Sequence, residues 1–353
     1  MTPLTAARDL YQEQAAIMRA AVADSARIWG DLDPTRFTAS WVQQQVGDRL
    51  FLSLAQYQIL AAQAADVYTA LILEGQDVPD PDGEVIARSL AGVASDGRSL
   101  DGLLLQPLIQ ANVAAAGGQT LADSLQAGLT VLTRMVGTQV QDSGRAATGL
   151  GIATRQRTGW VRLVEPGACS RCVILAGRVY RWSSGFDRHP LCKCRNIPAA
   201  EDTDDLRPDN DPMAHFNSLS EAEQNAQFTK AGAATIRDGA DIARVVNARR
   251  GALGLNRPGA LTNEDRTVIR KGGTLERTDV AGRKVYVTSE GTTIRADYGK
   301  AEIARGNARQ TTSAGGRKLT ATTTPRLMPQ SIYEIAEDRD DAVRLLRRFG
   351  YIR

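Results

Sequence analysis

The sequence predicts a mainly α-helical protein with a small α+β module in its middle, and three observations lead there. Aromatic residues make up only 5% of a chain that is 42% hydrophobic, so Ala, Leu and Val must carry the packing, which favours helices over sheet sandwiches. Apolar residues recur at helical spacing through the first 150 positions. Beyond residue 158 the texture becomes short and alternating, rich in β-branched residues, and this stretch contains every cysteine.

Residues 5–30 read as the first helix, with Leu10, Tyr11, Ile17, Met18, Val22, Ile28 and Trp29 on one face. "GDLDP" breaks it, and Asp33 followed by Pro34 is a start signal for a second, long helix reaching about Glu74. "GQDVPDPDG" (75–83) is a loop. Further helices are expected at about 84–95, 99–116 and 119–136, the last continuing to about 153. "GWVRLVEPGACSRCVILAGRVYRW" then predicts short strands around the cysteines, and "EDTDDLRPDNDPM" (201–213) an acidic linker.

Ser220 and Glu223 form a capping box for a helical stretch punctuated at Gly232 and Gly239. "GGTLERTDVAGRKVYVTSEGTTIRADYG" suggests a small antiparallel β element, and "RGNARQTTSAGGRKLTATTTPRLMP" an exposed linker. The last piece reads as an amphipathic helix with Ile332, Ile335, Ala336, Ala342, Leu345 and Leu346 on its apolar side, docking on a partner or on its own chain. The expected units are an α-helical domain (1–154), a Cys/His knuckle module (155–200), a helical segment (213–251) and a basic tail with a small β element and C-terminal helix (252–353).

The net charge of +3 hides an asymmetry: residues 249–353 carry 21 Lys/Arg against 12 Asp/Glu. Such a tail can touch nucleic acid without sequence specificity, or an acidic protein surface. The N-terminus lacks a basic segment followed by an apolar one, and no run of about 18 apolar residues occurs. The expectation is folding in a reducing cytoplasm with no membrane contact, where clustered cysteines read first as metal ligands.

Those cysteines are spaced C-x2-C, sixteen residues, then H-x2-C-x-C. A C-x2-C knuckle turns two thiolates toward one ion, and a second short pair completes a tetrahedron. Cys169 and Cys172 are first-choice ligands. His189 and Cys192 repeat the two-residue gap and are favoured next, with Cys194 in reserve. A closed four-ligand zinc site leaves no open position for water and is therefore structural. Arg171, Arg188, Lys193 and Arg195 are candidates to offset thiolate charge. A C-x-x-C redox couple and a disulfide-locked module are the weaker readings, the first because no βαβ context surrounds it.

"CSRCxxLxGxVY" followed by "RHPxCxCRxIP" resembles the signature of Mu-F-like phage head morphogenesis proteins, the minor capsid proteins of tailed phages. The resemblance covers about 155–200, and "FNSLSEAEQNAQFTKAGAATIRDGADIARVVNARRG" is similar to versions from phages of actinobacteria. It implies a helical N-terminal part, a Cys/His knuckle, and a place in the virion at the portal vertex or capsid interior. The implied partners are the portal protein and a major capsid or scaffold protein, with roles in DNA packaging or ejection. Relatives often replace the last cysteine of the second element by serine, which favours His189 and Cys192. Some relatives are labelled capsid maturation proteases.

For that activity the residues offer little. The chain has two histidines, His189 and His215, and lacks G-x-S-x-G, H-E-x-x-H and a P-loop. With His189 on metal, only His215 remains as a base, with Ser218 nearby in sequence, and no catalytic residue is assigned.

Overall fold

The computed structural model describes residues 2–164, 167–186, 189, 192–201, 211–237, 242, 246, 275–280, 283–290, 308–312, 318–327, 336–348 and 352. The protein is mainly helical, with a small three-stranded sheet beside the cysteines. Helix α1 (Pro3–Trp29) starts where Thr2 accepts from the Thr5 N–H, with Pro3 at its first position. The second helical stretch is divided into α2 (Phe37–Gln43) and α3 (Val46–Leu73). The division corrects the single helix expected there. Gln45 turns left-handed at φ 52°, which lets Trp41 meet Trp29 edge-on at 6.2 Å. Asp33 does not cap a helix at Pro34; its carboxylate is occupied by the Thr35 N–H and hydroxyl and by Arg36.

The helix expected at 84–95 is one 3₁₀ turn, Ala87–Leu90. Gly92 and Gly97 at positive φ curl the chain instead, and Gln58 on α3 holds the curl by bonding Gly92 N–H and Val93 C=O. Helix α4 (Leu100–Ala116) follows a Ser99 cap, and α5 (Leu121–Ala153) runs uninterrupted from a Thr120 cap. Helices α1, α3, α4 and α5 bury Trp29, Leu50, Phe51, Leu54, Leu104, Leu132 and Val136 in one core. The helices also approach closely at Gly128, where an added Cβ would lie 2.6 Å from the Trp29 ring and 2.7 Å from the Pro107 carbonyl oxygen.

Strand β1 (Thr158–Val164) is central, flanked by β2 (Val179–Tyr180) and β3 (Cys194–Ala200), both antiparallel to it. Although the sheet has only three strands, β1 and β3 are buried on both faces. Val161, Leu163, Ile197 and Ala199 pack with Leu4, Leu10 and Ile72 of the helices. Trp160 turns the other way and packs with Cys172, Phe186, Cys192 and Cys194. Helix α6 (Ser170–Val173) is the turn of the first knuckle.

Helices α7 (Pro212–Ser218), α8 (Glu221–Phe228) and α9 (Lys230–Arg237) close over that knuckle: Val173 and Ile174 share a core with Phe216, Phe228 and Ile236. The Ser220–Glu223 capping box is present in both directions. The chain breaks at Thr229 (φ 69°) and passes helically through Gly232, where the break was expected.

Farther on, β4 (Leu275–Val280) and β5 (Arg283–Glu290) form the expected hairpin. The stretch read as a linker is a correction: β6 (Ala308–Thr312) and β7 (Lys318–Leu327) extend the hairpin to a four-stranded sheet, order β4-β5-β7-β6. Threonine explains it, since a β-branched side chain favours strand even where apolar residues are few. Helix α10 (Arg339–Arg348) folds back on its own chain. Ala342, Leu345 and Leu346 pack with Ala62, Ala65 and Leu150, and Arg339 bonds the last carbonyls of α5, Ile152 at 2.6 Å and Ala153 at 3.1 Å. Ile332 and Ile335 of the expected apolar side, the linker core 202–210 and Gly239 lie outside the described residues. No helix among the described residues is long and apolar enough to cross a membrane.

Candidate metal centre

The four cysteines converge although two of them are about twenty residues from the others. Gly167 at φ 79° turns β1 back toward α6, and the Cys172 and Val173 N–H groups bond the Cys169 carbonyl, closing the first knuckle. The second pair is delivered by β3, whose register sets Cys194 opposite Val164. Cys172 is the hub: its Sγ lies 3.5 Å from Cys169, 3.5 Å from Cys192 and 3.0 Å from Cys194, while Cys192 and Cys194 are 2.7 Å apart. All four are free thiols, so the disulfide arrangement is not the one found. Cys172, Cys192 and Cys194 are buried, and Cys169 is half-buried.

His189 groups with Cys169 and Cys172, and not with Cys192 and Cys194. The two groups of ligand atoms, Cys169–Cys172–His189 and Cys172–Cys192–Cys194, each lie within 4.8 Å of one another. Bonds of about 2.3 Å from one zinc ion to four sulfurs set sulfur–sulfur edges of about 3.8 Å. The four sulfur–sulfur distances, 2.7–3.5 Å, are shorter than such edges, and Cys169 does not group with Cys192 or Cys194. Each group is nonetheless within metal-binding distance and the donor set is soft, so the cluster is compatible with zinc.

Proton sharing among the thiols splits their acidities. The bond to Cys172, together with His189, holds Cys169 down to about 4, and bonds to Cys172 and Cys194 likewise lower Cys192. Cys172 is pushed up as the shared partner of the other three. For Cys194 the Cys172 bond pulls down, but the Cys192 bond and burial prevail and raise it to about 11. Negative charge in the metal-free cluster therefore favours Cys169 and Cys192, and protons favour Cys172 and Cys194.

Three buried arginines surround this charge. Arg162 on β1 is 1% exposed, sits 4.1 Å above the Phe186 ring centroid, and donates from Nη1 to Cys194 Sγ at 3.3 Å. Trp160 and Tyr180, stacked on each other at 3.9 Å, lie beside the guanidinium at 5.8 and 5.9 Å. Arg145 on α5 reaches the second knuckle through its backbone: it donates to the Cys192 carbonyl, and to the Cys194 carbonyl from Nε at 3.2 Å and Nη2 at 3.0 Å. Asp142 pairs with it at 2.7 Å, both side chains 4% exposed. Arg195 bonds the Gln141 carbonyl at 3.3 Å, and burial, aided by the Arg145 charge, lowers it to about 9.

Of the residues expected to offset thiolate charge, Arg195 is in place. Lys193 is exposed and turned toward Gly167, and Arg188 lies outside the described residues. Arg145 and Arg162 were missed because they are 49 and 32 residues from the cysteine they reach. A signal existed: each is a lone basic residue in an otherwise small or apolar run, "SGRAATGLGIA" and "WVRLV". Gln227 on α8 was also missed. It donates to the Ala168 carbonyl just before the first cysteine, and its Oε1 is 3.3 Å from His215 Nε2. His215 thus braces the roof of the site, and Ser218 donates to the His215 backbone carbonyl at 2.8 Å, not to its ring.

No curated protein and no solved structure matches the chain. A family model, described as VG15 protein, matches residues 1–222, which take in the helical core, the three-stranded sheet and all four cysteines. With that match over most of its length, the chain belongs to the VG15 protein family, a family of viral proteins.

Proposed function

We propose that this protein is a minor capsid protein of a tailed phage, acting at the portal vertex or inner shell, with a structural zinc ion at its centre. The observation that carries the reading is the four-thiol cluster, three of its cysteines buried, inside the family match and beside three buried guanidinium groups. Cys169, Cys172, Cys192 and Cys194 would hold the ion, with His189 beside it. Charge balance favours this set over three cysteines and His189. Among the described residues Arg145, Arg162 and Arg195 against Asp142 leave two positive charges buried, and zinc with four thiolates carries two negative ones. Four protein ligands leave no position for a substrate, so the ion's chemistry is to clamp two knuckles delivered by α6 and β3.

The clamp has a mechanical meaning for a head protein. It ties β1 and β3, which pack on α1 and α3, to the α7–α9 roof, so one side of the molecule becomes a single rigid piece. Co-expression with the portal protein and major capsid protein of the same phage tests the function. The account expects the chain to co-sediment with portal or procapsids and to be present in purified virions. Absence from virions together with no portal or procapsid association would overturn it.

A further inference from the structure

The solvent face of α4 carries an apolar stripe, and the only charge on the helix is Asp101 in its first turn. Leu105, Ile109 and Val113 recur every four residues and are 43%, 48% and 59% exposed. The inward face is already filled by Leu103, Leu104, Leu108 and Ala111, so this stripe is not surplus core. From Asp101 to Asp123 the chain has no other charged residue, in a protein that is 24% charged. Beside the stripe, Thr38 of α2 donates to Asn112 Oδ1 at 2.9 Å, and Val42, one turn beyond Thr38, is 74% exposed.

We infer that a second copy of this chain covers this face, two α4 helices lying antiparallel about a two-fold axis through Ile109. The exposed side chains read the same from either end. Reversal about Ile109 sets Leu105 against Val113, Gln106 against Asn112, and Gly102 against Ala116. These are apolar on apolar, amide on amide, and small on small at both ends, where the helix backbones then approach closely. Of the exposed positions between Gly102 and Ala116, Gln110 alone falls opposite an inward residue, Leu108. An isologous interface demands such self-complementarity, because each residue near the axis meets its own copy and a charge there meets its like. Beyond Asp101 in its first turn α4 has no charge, which is what a second copy requires and a charged partner does not. A 17-residue helix spans only about 25 Å, so the interface is small and the dimer weak.

Sedimentation of the full chain from about 1 to 100 μM tests it. The wild type should pass from the 38.0 kDa monomer toward twice that mass. Ile109→Lys and Ile109→Glu, each with unchanged circular dichroism, should remain monomeric alone. Mixed in equal amounts they should recover the dimer, because the axis puts position 109 opposite itself. A wild type that stays monomeric, variants that still dimerise, or a mixture that stays monomeric would each overturn the proposal.

Discussion

Replacing Arg162 by Met separates the electrostatic part of the proposed centre from its packing. Met fills much of the same space between Trp160, Tyr180 and Phe186, and it keeps sulfur–aromatic contact in place of the guanidinium stack. The stacking is lost equally from loaded and metal-free protein, so it cancels in metal affinity. The hydrogen bond from Nη1 to Cys194 Sγ at 3.3 Å does not cancel, because the thiol becomes a thiolate on metal. At 1% exposure that bond is unscreened by water, and a hydrogen bond to a charged group contributes about 1.5–3 kcal/mol. At about 1.4 kcal/mol per decade, Arg162→Met should weaken zinc binding about 10- to 100-fold, the range for outer-sphere partners of metal ligands. Competition against a chromogenic chelator measures this, with the metal-free melting temperature followed alongside. Unchanged zinc affinity would refute the claim that the guanidinium acts on the ligating sulfur.

Three other outcomes follow from particular contacts. Gly128→Ala should destabilise by about 2 kcal/mol in urea unfolding, overpacking against the Trp29 ring and the Pro107 carbonyl outweighing roughly 1 kcal/mol of helix propensity. Gly102→Ala, with nothing nearer than 3.9 Å, should stabilise instead, and two changes of like sign would contradict the packing at the crossing. Leu346→Ala should cost about 2–5 kcal/mol in the same assay, since the side chain is fully buried against α3 and α5; a neutral result would mean that α10 is not docked there. Zinc loading should release about two protons at neutral pH, those of Cys172 and Cys194, whose acidities are raised, while Cys169 and Cys192 are already ionised. Affinity should then fall roughly a hundredfold for each unit of pH lowered between about 8 and 6, and a flat profile would contradict that proton count.

The sequence foretold what local chemistry decides. The Ser220–Glu223 capping box, the 75–83 loop, the helical texture of the first 150 residues and the strands beginning at Thr158 are all signals contained within a few turns of chain. The departures have long-range causes. Gln45 leaves the helix because Trp41 is drawn to Trp29, and the curl at 91–99 is held by Gln58 from another helix. The Thr-rich strand β7 is stabilised by pairing with β5 and β6, which hydropathy alone does not register.

The candidate site divides the same way. Its five donor residues were legible from spacing, because C-x2-C and C-x-C are local devices. How they group in space was not. Spacing favoured His189 over Cys194, whereas the sulfur positions set Cys194 beside Cys172 and Cys192, and His189 beside Cys169. That choice depends on β3 register and on arginines arriving from α5 and β1, none of which is visible in a motif.

Zinc K-edge absorption on the reduced, full-length protein tests the central claim most directly. The account predicts about one zinc per chain in a shell of four sulfurs at about 2.3 Å, with no nitrogen. Less than about 0.3 zinc per chain, or a shell with an imidazole nitrogen at about 2.0 Å, would contradict a centre held by four thiolates.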